Sequence, residues 1–390
     1  MFSTNVTRRT AASAVLFAAA AHAQPSFQPL GDFSGGTFYS DAWRVSNDGR
    51  AVAGGGTPAS GLVAQRWTTT DALVRLGTLP GFEVSSLSTG ISASGAAVCG
   101  YSSSASANQA FRWTADGGMV GLGDLPGGDE SSAANFISGD GSTVVGSGDQ
   151  NFANNTMQAF RWTEATGMVG LGYTQGHHDW SEAWAASADG SVVSGISLKI
   201  GSDGEAFVWR QSTGIIGLGD LPGNDNYSVG LDMTPTGSVI TGGCSPAGGY
   251  EAFRWTQAGG MIALGDLPGG DHYSSGYGIT DDGNTIVGVA DWDGGFGGAH
   301  AFIWDAAHGM RNLQTVLETE YGLDLAGWTL LYANDISGDG RYITGQGINP
   351  NGDYEAWLVD LGDCPADFNN DGNVNTIDVL DFLNAWVAGC

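Results

Sequence analysis

The stretch FQPLGDF (residues 27–33) opens on half of a pattern whose other half is missing from its surroundings. Its LGD returns in LGDLPG at 122–127, 218–223 and 264–269, with looser copies LGTLPG (76–81) and LGYTQG (171–176). Everywhere except at the start, this turn follows a tryptophan motif: AQRWT, AFRWT, AFRWT, AFVWR, AFRWT and AFIWD, with Trp67, Trp113, Trp162, Trp209, Trp255 and Trp304 spaced 46, 49, 47, 46 and 49 residues apart. A degenerate seventh copy, EAWLVD, covers 355–360. A second marker occurs seven times: VSNDG (45–49), ISASG (91–95), ISGDG (137–141), ASADG (186–190), MTPTG (233–237), ITDDG (279–283) and ISGDG (336–340).

One period reads as four short strands. SSAANFIS (131–138), the turn GDG and STVVG (142–146) form a hairpin with an Asp-Gly turn. QAFRWT (158–163) and GMVGLG (167–172) follow after a loop of variable length. The first strand is rich in Ser, Gly and Ala, as suits an innermost strand where sheets converge. The Trp and Phe of the third strand suit the wider space between sheets. A four-strand period near 47 residues describes a propeller blade. The hairpin occurs seven times, but only six copies are followed by a fourth strand of the GMVGLG type; the missing one is FQPLGDF at the N-terminus. The expectation is an all-β fold, a seven-bladed β-propeller closed by the N-terminal strand over residues 24–362. A single helix is expected at 312–321, in the insert RNLQTVLETEYGLDLAG that replaces the sixth crossing.

Residues 1–23 read as a signal peptide: Arg8 and Arg9, an apolar run from Ala11 to Ala21, then the small-x-small site Ala21-His22-Ala23. The run is too short to span a bilayer. Loss of this leader leaves 11 basic against 41 acidic residues, a net charge of −30, with Lys199 the only lysine. Such a surface repels phosphate backbones and anionic headgroups, so neither nucleic-acid binding nor membrane insertion is expected. Cys99 and Cys244 read as small buried thiols. Cys364 and Cys390 bracket the last 27 residues, and a disulfide there would staple a segment too small to hold itself together.

That segment, CPADFNNDGNVNTIDVLDFLNAWVAGC (364–390), carries the spacing of a calcium loop. Asp367, Asn369 and Asp371 stand at positions 1, 3 and 5, and Gly372 makes the sharp turn. Asn373 offers its carbonyl at 7, Asn375 sits at 9 and Asp378 at 12. A hard cation needs six or more oxygens, and this spacing wraps them around one point. Ile377, Leu380, Leu383 and Val387 then share one helical face.

GAHAFIWD (298–305), the AFRW copies, GMVGLGDLPGG and ISGDGSTVVG resemble the HAF repeats of extracellular bacterial proteins, over about residues 30–360. The resemblance implies secretion and a repeat architecture, and no particular reaction. The tail, with Asp at position 12 and its Gly389-Cys390 ending, resembles a dockerin calcium repeat, an EF-hand-like loop and helix. It implies Ca2+ bound by Asp367, Asn369, Asp371, Asn373, Asn375 and Asp378. A dockerin carries two such repeats and this chain has one, so a cohesin-like partner and a cell-envelope partner both stay open.

In the expected fold the crossings between repeats share one face with the variable loops, and the Asp-Gly turns occupy the other. Glu83, Asp129, Asp225 and Asp271 fall at equivalent crossing positions, and His177-His178-Asp179 replaces them in the third crossing. They line a mouth suited to cations or a polyhydroxylated ligand, with Trp180, Trp292 and Tyr273 as stacking platforms, or they cap turns. Turn aspartates such as Asp140 and Asp339 read as turn chemistry. No GxSxG elbow, HExxH pair or phosphate loop is present. The reading is a secreted, non-enzymatic scaffold that binds an extracellular polysaccharide or surface protein. A carbohydrate-active enzyme, a polysaccharide hydrolase or lyase using carboxylates of the crossing face, is the alternative.

Overall fold

The computed structural model describes residues 24–362, apart from 60, 129–130, 152–155, 178, 199–203, 223–226, 247–248, 270–271 and 292–297, together with 376 and 380. Pro25–Leu361 is one compact unit. Among the described residues the unit contains five four-stranded sheets and one eight-stranded sheet. The latter is two four-strand repeats joined by a single parallel bridge, Met157↔Trp180. Equivalent parallel bridges, Gly204↔Tyr227, Tyr250↔Tyr273 and Tyr39↔Tyr354, link other successive repeats.

Every repeat follows the order read from sequence: a first strand such as Ser132–Ile137, a turn, a second strand, a third that bears the Phe-x-Trp pair in the second to sixth repeats, and a short fourth. The first strands are mostly buried. The fourth strands, such as Gly118–Gly121, are largely exposed. The N-terminal strand Ser26–Pro29 pairs antiparallel with Tyr354–Asp360, Pro29 opposite Trp357, and Leu30 N donates to Ala356 O at 2.9 Å. It therefore supplies the fourth strand that the last repeat lacks.

The conserved spelling of the crossings follows from where their residues go. Both leucines of LGDLPG are pegs between neighbouring sheets: Leu122 and Leu125 pack with Ala97 and Cys99 of their own repeat and with Ile137, Val144 and Phe160 of the next. Gly123 and Gly127 hold φ of +76° and +92°, a region that a side chain resists. Nine residues after the first glycine comes a serine. Ser132 Oγ donates to Gly123 O and accepts from Ala110 N, and Ser86, Ser181, Ser228 and Ser274 repeat both bonds. Ser40 accepts likewise from Ala356 N, so the last repeat meets the first by the same bond.

The core is divided in the same way. Phe111, Phe160, Phe207, Phe253 and Phe302 are fully buried, each in a cluster shared by two successive repeats. One cluster joins Leu30, Ala356 and Leu358 to Ala42, Val52 and Trp67, the last repeat to the first. The expected helix is Leu313–Thr319, N-capped by Asn312, whose Oδ1 accepts from Thr315 N at 3.0 Å. Its Leu313, Val316 and Leu317 pack with Leu325 and Trp328 where a crossing peg would otherwise sit.

Candidate functional site

The first strands carry the site. Each has a β-bulge two residues before its marker, at Trp43, Thr89, Asn135, Trp184, Leu231, Tyr277 and Asn334. A bulge leaves its extra residue out of the ladder and re-aims the side chain. Three of these side chains reach to the next first strand: Thr89 to Ala134 O (2.7 Å), Asn135 to Ala183 O (3.0 Å) and Asn334 to Ala42 O (2.8 Å). Trp43, Trp184, Leu231 and Tyr277 occupy the same position with apolar groups. Trp43 is 40% exposed although it belongs to an otherwise buried strand.

Beside the bulge, Arg44 reaches across from the first repeat to three others. Its guanidinium donates to Tyr277 O (2.9 Å), Leu231 O (3.3 Å) and Asp335 Oδ1 (3.3 Å), lies 3.9 Å from Asp232 Oδ2, and sits 5.0 Å from the centre of the Phe136 ring. Asp335 also accepts from Val45 N (2.8 Å), as Asp232 does from Ile279 N (3.0 Å). Burial pushes both carboxyls above the ordinary range, and Arg44 pulls them back. On the turn side of Arg44 lies a cavity of about 230 Å3, lined by Asn47, Ile137, Met233, Asp281 and Ile336 among others.

On the other side of Arg44, toward the crossings, two strands stand out: YSDAW (39–43) and WSEAW (180–184) place an acid between two aromatic residues. Asp41 is buried and accepts from Gly55 N (2.5 Å), from the indole of Trp43 and from the hydroxyl of Tyr39. Burial raises its carboxyl to about 7. Glu182 accepts from Asn135 Nδ2 (3.0 Å), Ser147 Oγ (3.3 Å) and the indole of Trp180, and burial raises it too. More rings continue around this end. Tyr227 and Tyr250 lie 6.3 Å apart, Tyr250 and Tyr273 stack at 5.1 Å, and Tyr354 and Tyr39 lie 6.5 Å apart. Tyr39, Trp180, Tyr227 and Tyr273 each immediately precede the serine that ties one repeat to the next.

The residues expected at the crossing face have a plainer lot. Glu83 is exposed, and its carboxylate accepts from Gly81 N (2.8 Å), the turn-capping role. Asp179 is half-buried, and its carbonyl accepts from Met157 N (3.2 Å). Asp129, Asp225 and Asp271 lie outside the described residues, as do His178 and Trp292. His177 Nδ1 bonds Thr174 Oγ1 at 2.7 Å. Cys99 and Cys244 are buried free thiols. Asp367, Asn369, Asp371, Asn373, Asn375, Asp378, Cys364 and Cys390 lie outside the described residues. Among the described residues, no three His, Cys, Asp or Glu side chains gather closely enough to hold a metal ion.

The arginines of AFRW are structural. Arg66, Arg112, Arg161 and Arg254 each donate from Nε to the glycine carbonyl of the next repeat's turn, at 2.7–3.0 Å.

Among solved structures, an oligogalacturonate lyase in complex with manganese matches 86% of this chain and 96% of its own, with a TM-score of 0.51 and 12% identity. A puromycin hydrolase S511A mutant matches 83% of this chain with a TM-score of 0.53 and 14% identity; the chain spans about half of that protein, 52%. This is a β-propeller fold. A structure described as the Dos1 propeller covers 87% of the chain and 94% of its own at 12% identity, with a TM-score of 0.46. At such identities the likeness extends to fold alone. No family model matches the sequence, and no curated protein matches it.

Proposed function

We propose that this chain is a secreted, non-enzymatic propeller of seven blades, closed by its N-terminal strand, that binds an extracellular polysaccharide or surface protein through its crossing face. Its C-terminal calcium loop tethers it to the cell exterior. One observation carries the binding reading: aromatic side chains are concentrated at the crossing end of the first strands, and the acids beside them, Asp41 and Glu182, are engaged by protein donors, as is Glu83 in its turn. Aromatic faces beside acids that are already engaged suit binding rather than acid–base chemistry. The pairing of Pro29 with Trp357 and the Ala356–Ser40 bond support the closed ring. The leader at 1–23, the HAF-like repeats and the spacing from Asp367 to Asp378 support secretion and tethering.

A screen of the purified full chain against polysaccharides and envelope proteins, with and without calcium, tests this. Binding of a polysaccharide or envelope protein without new reducing ends or unsaturated products is the expected result. Depolymerisation would overturn the non-enzymatic reading. Calcium uptake by calorimetry should disappear in an Asp367→Ala, Asp371→Ala variant, and its persistence there would remove the tail from the account.

A further inference from the structure

We propose that the strands YSDAW (39–43) and WSEAW (180–184) form a stacking site for uncharged sugars, in which Trp43 and Trp184 are the contact surfaces and Asp41 is a positioning residue. This rests on the binding reading above and names its ligand class and residues. Of the seven first strands, only the first and fourth place an acid between two aromatic residues; the equivalent stretches elsewhere read SSLST, SSAAN, YSVGL, YSSGY and LLYAN. The bulge takes Trp43 and Trp184 out of the ladder with the second strand, and the parallel bridge from the preceding repeat reaches the fourth first strand only at Trp180. At Thr89, Asn135 and Asn334 the same position is used to bond the next repeat, so the tryptophans give up a structural bond that those copies make. Trp43 is 40% exposed and Trp184 is partly exposed.

The donors already present decide the ligand. Asp41 takes a backbone N–H, an indole and a phenol, and Glu182 takes an amide, a hydroxyl and an indole. These acids have little acceptor capacity left for an ammonium group, so they hold rings in place rather than bind cations. Arg44, the nearby cation, is spent on carbonyls and carboxylates. Among the described residues of these two strands Arg44 is the one cation, so neither strand offers a free one to a uronate or sulfate, and ionised Glu182 repels both. What stays available is the face of an indole, which suits the C–H face of a pyranose.

The test is calorimetry of the full chain with neutral oligosaccharides of several linkages, alongside oligouronates and sulfated oligosaccharides. A neutral oligosaccharide should bind, and anionic ones should bind at least about tenfold more weakly. Trp43→Ala and Trp184→Ala should each weaken binding about tenfold or more, with unfolding midpoints close to the parent. Trp43→Tyr and Trp184→Tyr, which keep a ring, should retain part of the affinity and guard against an unfolded Ala variant. Asp41→Asn, which keeps an acceptor for the indole, should bind within about threefold of the parent, whereas Asp41→Leu should lose affinity as Trp43→Ala does. Neutral-sugar binding unchanged in the double Trp→Ala variant overturns this site and leaves the binding function standing. Preference for anionic sugars overturns the ligand class. Absence of all glycan binding overturns this site, and the function then rests on the surface-protein arm of the earlier screen.

Discussion

Asp189 and Asp41 are the same chemical group at opposite ends of equivalent strands, and they behave in opposite ways. Asp189 sits in an exposed Asp-Gly turn, where it accepts from Ser191 N and Ser187 Oγ; the bonds from Ser191 and Ser187 pull its carboxyl down to about 2. Asp41 is buried among aromatic side chains, and desolvation lifts it to about 7. The first is copied around the molecule: Asp48, Asp140, Asp282 and Asp339 make the same pair of bonds. The second has one counterpart, Glu182. In a repeat protein, a residue present in every copy serves the architecture that every copy needs. Departures at a fixed position are where a particular ligand can be served.

The strongest way to break this contrast is at Arg44, which also occurs once. Arg44→Met leaves Asp232 and Asp335 buried without their cation, and should cost about 3–5 kcal/mol at pH 8 by urea unfolding. Both carboxyls are already raised by burial, so the loss should shrink at pH 5, where protonation relieves them. A loss independent of pH would mean that the guanidinium acts by packing over Phe136 and not by charge.

Asp41 sharpens the contrast through pH alone. Its carboxyl holds a proton more tightly in the folded chain than in the unfolded one, where it titrates near 3.8. The folded state is therefore favoured by this group below about 3.8 and loses that advantage as pH rises toward about 7, by an amount on the order of 4 kcal/mol. Asp41→Asn should flatten that part of the stability profile between pH 4 and 7. If parent and variant trace parallel profiles, Asp41 is ionised and solvated in the folded chain.

Much of the fold was legible because its rules repeat. FQPLGDF could be matched to the unit it completes because Leu30 and Gly31 are spelled as in five other crossings, and Ser40 follows Gly31 at the same nine-residue interval. The helix at Leu313–Thr319 was legible because its insert replaces a crossing. The site was less so. The acids of the crossings stand out because they recur, and Glu83, the one of the recurring four among the described residues, caps a turn. YSDAW and WSEAW were visible once the first strands were aligned, but what matters about them is the bulge, and no residue type marks it: the bulged position holds Trp, Thr, Asn, Leu or Tyr. Arg44 was hidden for a related reason, since its partners lie 187 to 291 residues away in the chain.

A smaller effect is expected at the serines of the crossings. Ser132→Ala removes an acceptor for Ala110 N and a donor to Gly123 O in a buried seam, and should cost about 2–3 kcal/mol in thermal or urea unfolding. The cost should recur at Ser86, Ser181, Ser228 and Ser274, which make both bonds. Ser40→Ala removes the one bond from Ala356 N, more than three hundred residues distant, and should cost about 1–2 kcal/mol, because the last repeat meets the first by the bond that any two neighbours share. A much cheaper Ser40 substitution would mean that the seam between the chain ends is looser than the others.

The smallest effect belongs to the copied acid. Asp140→Ala removes acceptors for Ser138 Oγ and Ser142 N; Ser142 is exposed and can bond water instead, whereas Ser138 is buried and loses its acceptor. Ser138 Oγ still accepts from Thr143 N, so the hairpin keeps its inner tie. The expected loss is about 1 kcal/mol, with no change in oligosaccharide affinity. A turn acid that weakened sugar binding while leaving stability intact would invert the contrast, because the copied carboxylates would then serve the ligand. The site would have to be sought on the turn face, at the cavity beneath Arg44 between Asn47 and Asp281.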